Sequence, residues 1–394
     1  MRLFSVPADF RTGTIDRLAE LNASHQDAAV AETYGCATWG GFSGSGRRSP
    51  YLPPVDLRHL EKYVGYAASR GIDFNYTLNA SCTGNSELTG RGLRRVERFL
   101  ARLWAIGIRH LTVSMPTLMT IIKESGYPFS VKASTICQIN SAYKAEHYRD
   151  RGVDRIVIDE DITRDFGRIR QICAAFGDGV EMIVNSVCIK DCPNKMFHYN
   201  HEAHFSTAQA ITTFHSYNCR AAGAIADPRD IMRLNWVRPE DLELYERAGI
   251  HRFKLQGRPL ALAGDVVRAT ETYMGASYDG NLYDLLYLFA PDIPKTIPYY
   301  PHIENSALEG FLRPFFDDPA HCTGECAACG HCALFAAAGM GTDANRELIP
   351  AAKDKIANKA EPFAAYRRRH AVKRLYARVA RRGRSVGSRV KHLT

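Results

Sequence analysis

Eleven cysteines are spread through this 394-residue chain, and seven of them fall in two tight groups. The first is Cys188-Ile-Lys-Asp-Cys192-Pro, with Cys219 downstream; the second is Cys322-Thr-Gly-Glu-Cys326-Ala-Ala-Cys329-Gly-His-Cys332. Thiolates gathered this closely bind soft metals or iron–sulfur clusters. In the second group the C-x2-C-x2-C portion has the spacing by which three thiolates on one tight loop share a cluster. Zinc sites instead favour two separated C-x2–4-C pairs. The reading is an iron–sulfur cluster of the [4Fe–4S] type, with a second cluster or zinc as the alternatives for Cys322, Cys326, Cys329 and Cys332. His331 is read as supporting the loop rather than ligating. The first group supplies three thiolates nearby. Its fourth ligand would come from Cys36, Cys82, Cys137, Cys173 or the second group, or be left open for substrate. Cys173 sits in a helical pattern and is read as a buried small apolar residue.

Polar residues gather where apolar, β-rich runs end. Asn79 and Asn85 follow the third such run, Glu160 closes the sixth, and Lys254 and Arg258 belong to the last. Asn79, Glu160, Lys254 and Arg258 are the candidate catalytic set. Arg47 after Gly44-Ser45-Gly46, Lys132 in the fifth run, and His198 are candidates for holding a cofactor or an anion. The Gly-rich loop does not match the phosphate-binding G-x-x-x-x-G-K-[ST] pattern. His198, His201 and His204 could gather round a metal, but a His/Tyr-rich stretch more often bonds to backbone.

These residues need a frame. Eight strand candidates are Leu3–Pro7, Ala29–Tyr34, Asp73–Leu78, His110–Ser114, Ser130–Ser134, Arg155–Asp159, Glu181–Asn185 and Arg252–Leu255. Helical spacing fills the gaps, at Leu57–Ala68, Leu93–Ala105, Ser141–Arg151 and Asp165–Ala175. Gly152 and Gly249 sit where helices should end before the next strand. Eight strands alternating with helices predict an α/β fold, a TIM-like (β/α)8 barrel over residues 1–275. The rhythm breaks once, at an insertion over about 187–238 that carries the first cysteine group. It leaves from the end of a strand where barrel enzymes place their chemistry. Residues 276–350 read as a connector and a Cys-rich extension, and 351–394 as a helical basic tail.

The formal net charge is +9, with 51 Lys/Arg against 42 Asp/Glu. Eleven of those basic residues and no acidic one lie in Arg367–Thr394, so residues 1–366 hold 40 basic against 42 acidic residues, a net of −2. The tail alone predicts a polyanionic partner, either an anionic membrane surface or RNA. The N-terminus lacks a signal peptide's apolar core, and no apolar run approaches a membrane span. The expected location is cytoplasmic, peripheral at the inner face of the membrane.

Three stretches carry a resemblance. Asp73-Phe-Asn-Tyr-Thr-Leu-Asn-Ala-Ser-Cys82, Val184-Asn-Ser-Val-Cys188…Cys192-Pro and Phe253-Lys-Leu-Gln-Gly-Arg258 resemble, in order, the peptidase U32 family of collagenase-like peptidases. The likeness spans about residues 1–275. It implies a TIM-like barrel and a four-cysteine iron–sulfur cluster, as in relatives that hydroxylate tRNA, ribosomal RNA or ubiquinone precursors without oxygen. For those relatives it implies prephenate as the oxygen source. Cys188, Cys192 and Cys219 match the family's first three clustered cysteines. The fourth commonly lies in a helix before the Lys-x-x-Gly-Arg strand, and Leu234-Asn-Trp-Val-Arg-Pro-Glu-Asp-Leu has none. The resemblance therefore implies an iron–sulfur hydroxylase acting on a small molecule or RNA. The alternatives are a peptidase, as the family name has it, and a non-catalytic partner subunit of a homologous protein.

Overall fold

The computed structural model describes residues 1–39, 45–207, 228–292 and 300–341, together with Asn345 and Ala371. The side chains of 228–229 and 326–327 lie outside that description, as do Cys219, the Asp292–His302 connector beyond its ends, and the tail, Ala371 excepted.

Strands β1 (Arg2–Pro7), β2 (Ala28–Gly35), β3 (Asp73–Leu78), β4 (His110–Val113), β5 (Ser130–Ala133), β6 (Arg155–Val157), β7 (Val180–Ile183) and β10 (Arg252–Lys254) close into one parallel barrel. Closure is made by β1, which pairs with β2 on one side and with β10 on the other, setting Ser5 against Lys254. The strands are buried on both faces, inside by the barrel and outside by helices, which is why they read as near-continuous apolar runs.

The helices follow their caps. Asp56 accepts a hydrogen bond from His59 N (2.7 Å) and opens α2 (Leu57–Ser69), which buries Leu60, Tyr63, Val64 and Ala67. Thr89 opens α3 (Gly90–Ala105) and Asp165 opens α6 (Phe166–Phe176) in the same way. Gly152 and Gly249 do end helices, at φ +73° and +104°. At Gly249 a Cβ would also press on Cys173 at 2.9 Å, so glycine is required there twice over.

One pair of strands stands outside the barrel. Strand β7 is followed at once by β8 (Asn185–Ile189), which pairs antiparallel with β9 (Leu234–Trp236). The helical setting implied for Leu234–Leu242 is thus corrected. The segment is a strand and then a 3-10 turn (Pro239–Asp241), and the helix before β10 is Leu242–Arg247. Trp236, fully buried, stacks at 5.3 Å on Phe311 of the C-terminal extension and pins this ribbon down. Among the described residues no helix is long and apolar enough to cross a membrane.

Candidate functional site at the barrel mouth

The barrel interior is not apolar throughout. Glu32 on β2 accepts hydrogen bonds from Ser5 Oγ (2.8 Å), Asn75 Nδ2 (3.2 Å), Arg155 Nη2 (2.8 Å) and Lys132 Nζ. Lys132 also donates to Glu181 Oε2 at 2.6 Å. These side chains are almost sealed: Lys132 is 0 % exposed, Glu32 and Glu181 2 % each. Burial alone would raise the Glu32 carboxyl, but Lys132 and Arg155 beside it hold it well below its ordinary value. Lys132, expected to touch a cofactor, is instead locked between two carboxylates in the core.

That lock sets the charge of its neighbour. Lys254 ends β10, with Nζ 3.8 Å from Glu181 Oε1 and 3.7 Å above the ring of Tyr34. Neither Nζ nor Glu181 Oε1 has a hydrogen-bond partner among the described residues. Burial, helped by the repulsion of Lys132 and Arg258 and opposed by Glu181 and Glu32, brings the Lys254 ammonium down to about 7. Near neutrality it can therefore take up or give a proton.

Four residues on stands Arg258, 7 % exposed. It donates to Thr77 Oγ1 (2.7 Å), Ser45 Oγ (3.3 Å), Cys36 Sγ (3.5 Å) and, through its other terminal nitrogen, Asn79 Oδ1 (3.3 Å). Every one of these partners is uncharged in its ordinary state. Asn79 also accepts from Gly46 N (3.2 Å), tying the Gly-rich loop down beside it. Arg47 of that loop is close enough for its charge to act on Arg258 and Tyr34, and its own hydrogen bond goes to a carbonyl, Gly46 O, at 2.8 Å. Among the described residues neither guanidinium has a carboxylate partner, so two like charges meet at the mouth without a counterion.

The rim is built by β8 and α7 (Lys195–Ser206). Ser186 Oγ donates to Glu160 Oε2 at 2.6 Å, and Lys195 pairs with Asp159 and, at 2.9 Å, with Asp161. Cys188 lies on β8, and Cys192 follows a turn in which Asp191 takes φ +56°. Tyr199 on α7 is buried next to Glu160, Cys188 and Arg47, and its hydroxyl has no partner among the described residues. An orphaned buried hydroxyl beside a thiol and a guanidinium suits a bound group that the chain itself does not supply. Cys188 and Cys192 are the thiols the rim could offer a metal centre; among the described residues no three ligand side chains stand together there.

Elsewhere the expected residues divert. His198 and His201 both lie 3.6 Å from Glu202, which also pairs with Arg48 at 2.8 Å. Burial would raise the Glu202 carboxyl, but hydrogen bonds from His198 and Arg48 bring it to about 2. The histidines thus brace an ion pair, and of Arg47 and Arg48 only Arg47 is turned to the mouth. Cys137 donates to Ser114 O at 3.2 Å, and burial alone raises Cys173 to about 11, as fits a packing residue. Cys322, Cys329 and Cys332 line a separate pocket on the barrel's flank. Glu32, Glu181 and Tyr34 went unread in the sequence. The available signal was a carboxylate inside an apolar strand, in Val30-Ala-Glu-Thr-Tyr34 and in Val180-Glu-Met-Ile183.

The family model for peptidase family U32 matches residues 40–191. The uncharacterized protease MJ1657 of Methanocaldococcus jannaschii is 28% identical over 339 residues, covering 84% of this chain and 96% of that protein. The solved structure of the U32 peptidase Mk0906 is 17% identical and covers 65% of this chain and 93% of its own, with a TM-score of 0.48. The family model spans the part of the barrel from β3 to β8, and over that part the chain is similar to peptidase family U32.

Proposed function

We propose that the barrel mouth is the active site of an iron–sulfur enzyme that hydroxylates a biosynthetic intermediate or an RNA without molecular oxygen, with prephenate as the oxygen donor. The observation that carries this reading is the pair Arg47 and Arg258, held at the mouth with no carboxylate partner among the described residues. The buried Arg258 guanidinium, bonded only to neutral groups, is costly unless an anion completes it, and with half-buried Arg47 near it the pair suits a dicarboxylate such as prephenate. Cys188, Cys192 and Cys219 would hold the cluster, which when bound supplies one-electron chemistry.

The chain's own residues have separable tasks. Arg258, oriented by Thr77 and Asn79, binds and fixes the anion. Lys254 accepts a proton from the bound molecule, because its amine is neutral for about half the population near pH 7. Glu181, held by Lys132, stabilises the ammonium so formed. Tyr199 offers its free hydroxyl to the ligand from the rim.

Calorimetric titration of the anaerobically purified protein with prephenate tests this. Wild-type protein should bind, and Arg258→Met should weaken binding tenfold or more, a loss of about 1.4 kcal/mol. Equal affinity in the variant would remove Arg258 from the site. The relative's name favours a second reading, peptide hydrolysis. Casein cleavage that disappears in Lys254→Met would decide for it.

A further inference from the structure

The second cysteine group lies away from the mouth, against helix α6 and ribbon β8–β9. Phe316 packs edge-on to Phe166 of α6 at 5.1 Å, and Phe311 stacks on Trp236 of β9. On this flank Cys322, Cys329 and Cys332 line one pocket with Phe315, His321 and His331. His331 is already committed, since its Nε2 donates to Phe311 O at 2.9 Å and its ring stacks on Phe311 at 5.2 Å. It therefore supports the wall. His321 is different. Its Nε2 is buried in the same pocket with no hydrogen-bond partner among the described residues. Arg164 lies nearby. Its guanidinium sits 4.7 Å from the ring of Phe311, and the charges of Cys332 and Cys322 reach it. Arg164 Nε is likewise buried and unpartnered.

Two buried nitrogens without partners among the described residues, one of them the Arg164 Nε–H donor, stand near three thiols and suit a group that the chain does not provide. We propose that Cys322, Cys326, Cys329 and Cys332 hold a second iron–sulfur centre of the [4Fe–4S] type, separate from the barrel mouth. Sulfides and ligated thiolates accept N–H bonds, so His321 and Arg164 would find partners on binding. Four thiolates around such a cluster carry net negative charge, which the half-buried guanidinium of Arg164 offsets. Among the described residues no three ligand side chains stand close enough to share one ion as they are. Binding would therefore have to draw the cysteines of this loop together, as metal sites do when binding is coupled to folding. Gly330, left-handed at φ +68° with open space where a Cβ would be, gives the pivot between Cys329 and Cys332.

The centre also has a mechanical link to the mouth. Arg164 donates to Met232 O and, at 2.8 Å, to Leu234 O of β9, whose partner strand carries Cys188. Arg164 thus joins the flank to the ribbon.

The test uses the full chain, purified anaerobically, with iron, sulfide and zinc counted per chain and the dithionite-reduced protein examined by electron paramagnetic resonance. Cys329→Ser should lose about four irons and the matching sulfide. The double variant Cys188→Ser/Cys192→Ser, which leaves the flank intact, should keep about four irons and a reducible-cluster signal. Unchanged iron in Cys329→Ser overturns the proposal. So does zinc, rather than iron, leaving with that variant, or the complete loss of iron from the double variant. Failure of the mouth reading looks different: the double variant would then match wild type.

Discussion

At the scale of single residues, the mouth is a problem in buried charge. Glu32, Lys132, Glu181 and Arg155 satisfy one another, so removing one partner strands the rest. Glu32→Gln should destabilise the protein by about 3–5 kcal/mol, measured by denaturant unfolding. Lys254 is the residue this network leaves poised. Direct NMR titration of its Nζ should find a midpoint near pH 7. In Glu181→Gln the midpoint should fall further, since Glu181 is one of the groups that favour the ammonium. The linkage has a definite sign. The folded-state value lies below that of the unfolded chain, so above pH 7 the unfolded state holds more protons, and the stability penalty of burying Lys254 fades as pH rises from about 7 toward the ordinary lysine range. Lys254, Arg258, Asn79 and Glu160 were legible in the sequence because each follows or ends a strand, and strand ends face the mouth. Glu32 and Glu181 were not, because an acidic residue inside an apolar run gives no sign of which way it points or what it meets. Lys132 was placed too high for the same reason.

At the scale of elements, the barrel could be read almost directly. All eight strands appear where the apolar runs put them, within two residues at their ends, and the capping residues Asp165 and Ser141 mark helix starts. The ribbon β8–β9 escaped, since β9 is three residues long and its pairing partner lies about fifty residues upstream. Such pairing comes from tertiary contact, which local patterning does not encode. Its anchor is Trp236, fully buried between Arg164 and Phe311. Trp236→Ala should cost about 3–5 kcal/mol in stability. It should also speed amide exchange in both β8 and the helix His331–Met340. A loss confined to β9 would mean that the C-terminal extension and the ribbon are independent.

At the scale of the whole molecule, charge is segregated. Residues 1–366 are nearly neutral, while Arg367–Thr394 holds eleven basic and no acidic residues. The tail lies outside the described residues, Ala371 excepted, so the expectation rests on sequence: Phe363, Tyr366, Val372, Leu375, Tyr376 and Val379 fall at roughly helical spacing among the basic residues. Truncation after Ala365 should abolish co-sedimentation with anionic vesicles at low salt and leave the metal content unchanged. Binding of full-length protein to RNA but not to vesicles would move the partner to nucleic acid. The central claim is that the mouth of this barrel works with a thiolate-held cluster. Iron and acid-labile sulfide in anaerobically purified full-length protein, compared with Cys188→Ser, test it most directly. Wild-type protein should be brown, with a visible absorbance near 400 nm that falls in the variant and with iron and sulfide lost in equal numbers. Wild-type protein without iron, or a Cys188→Ser variant with full iron and sulfide, would contradict it.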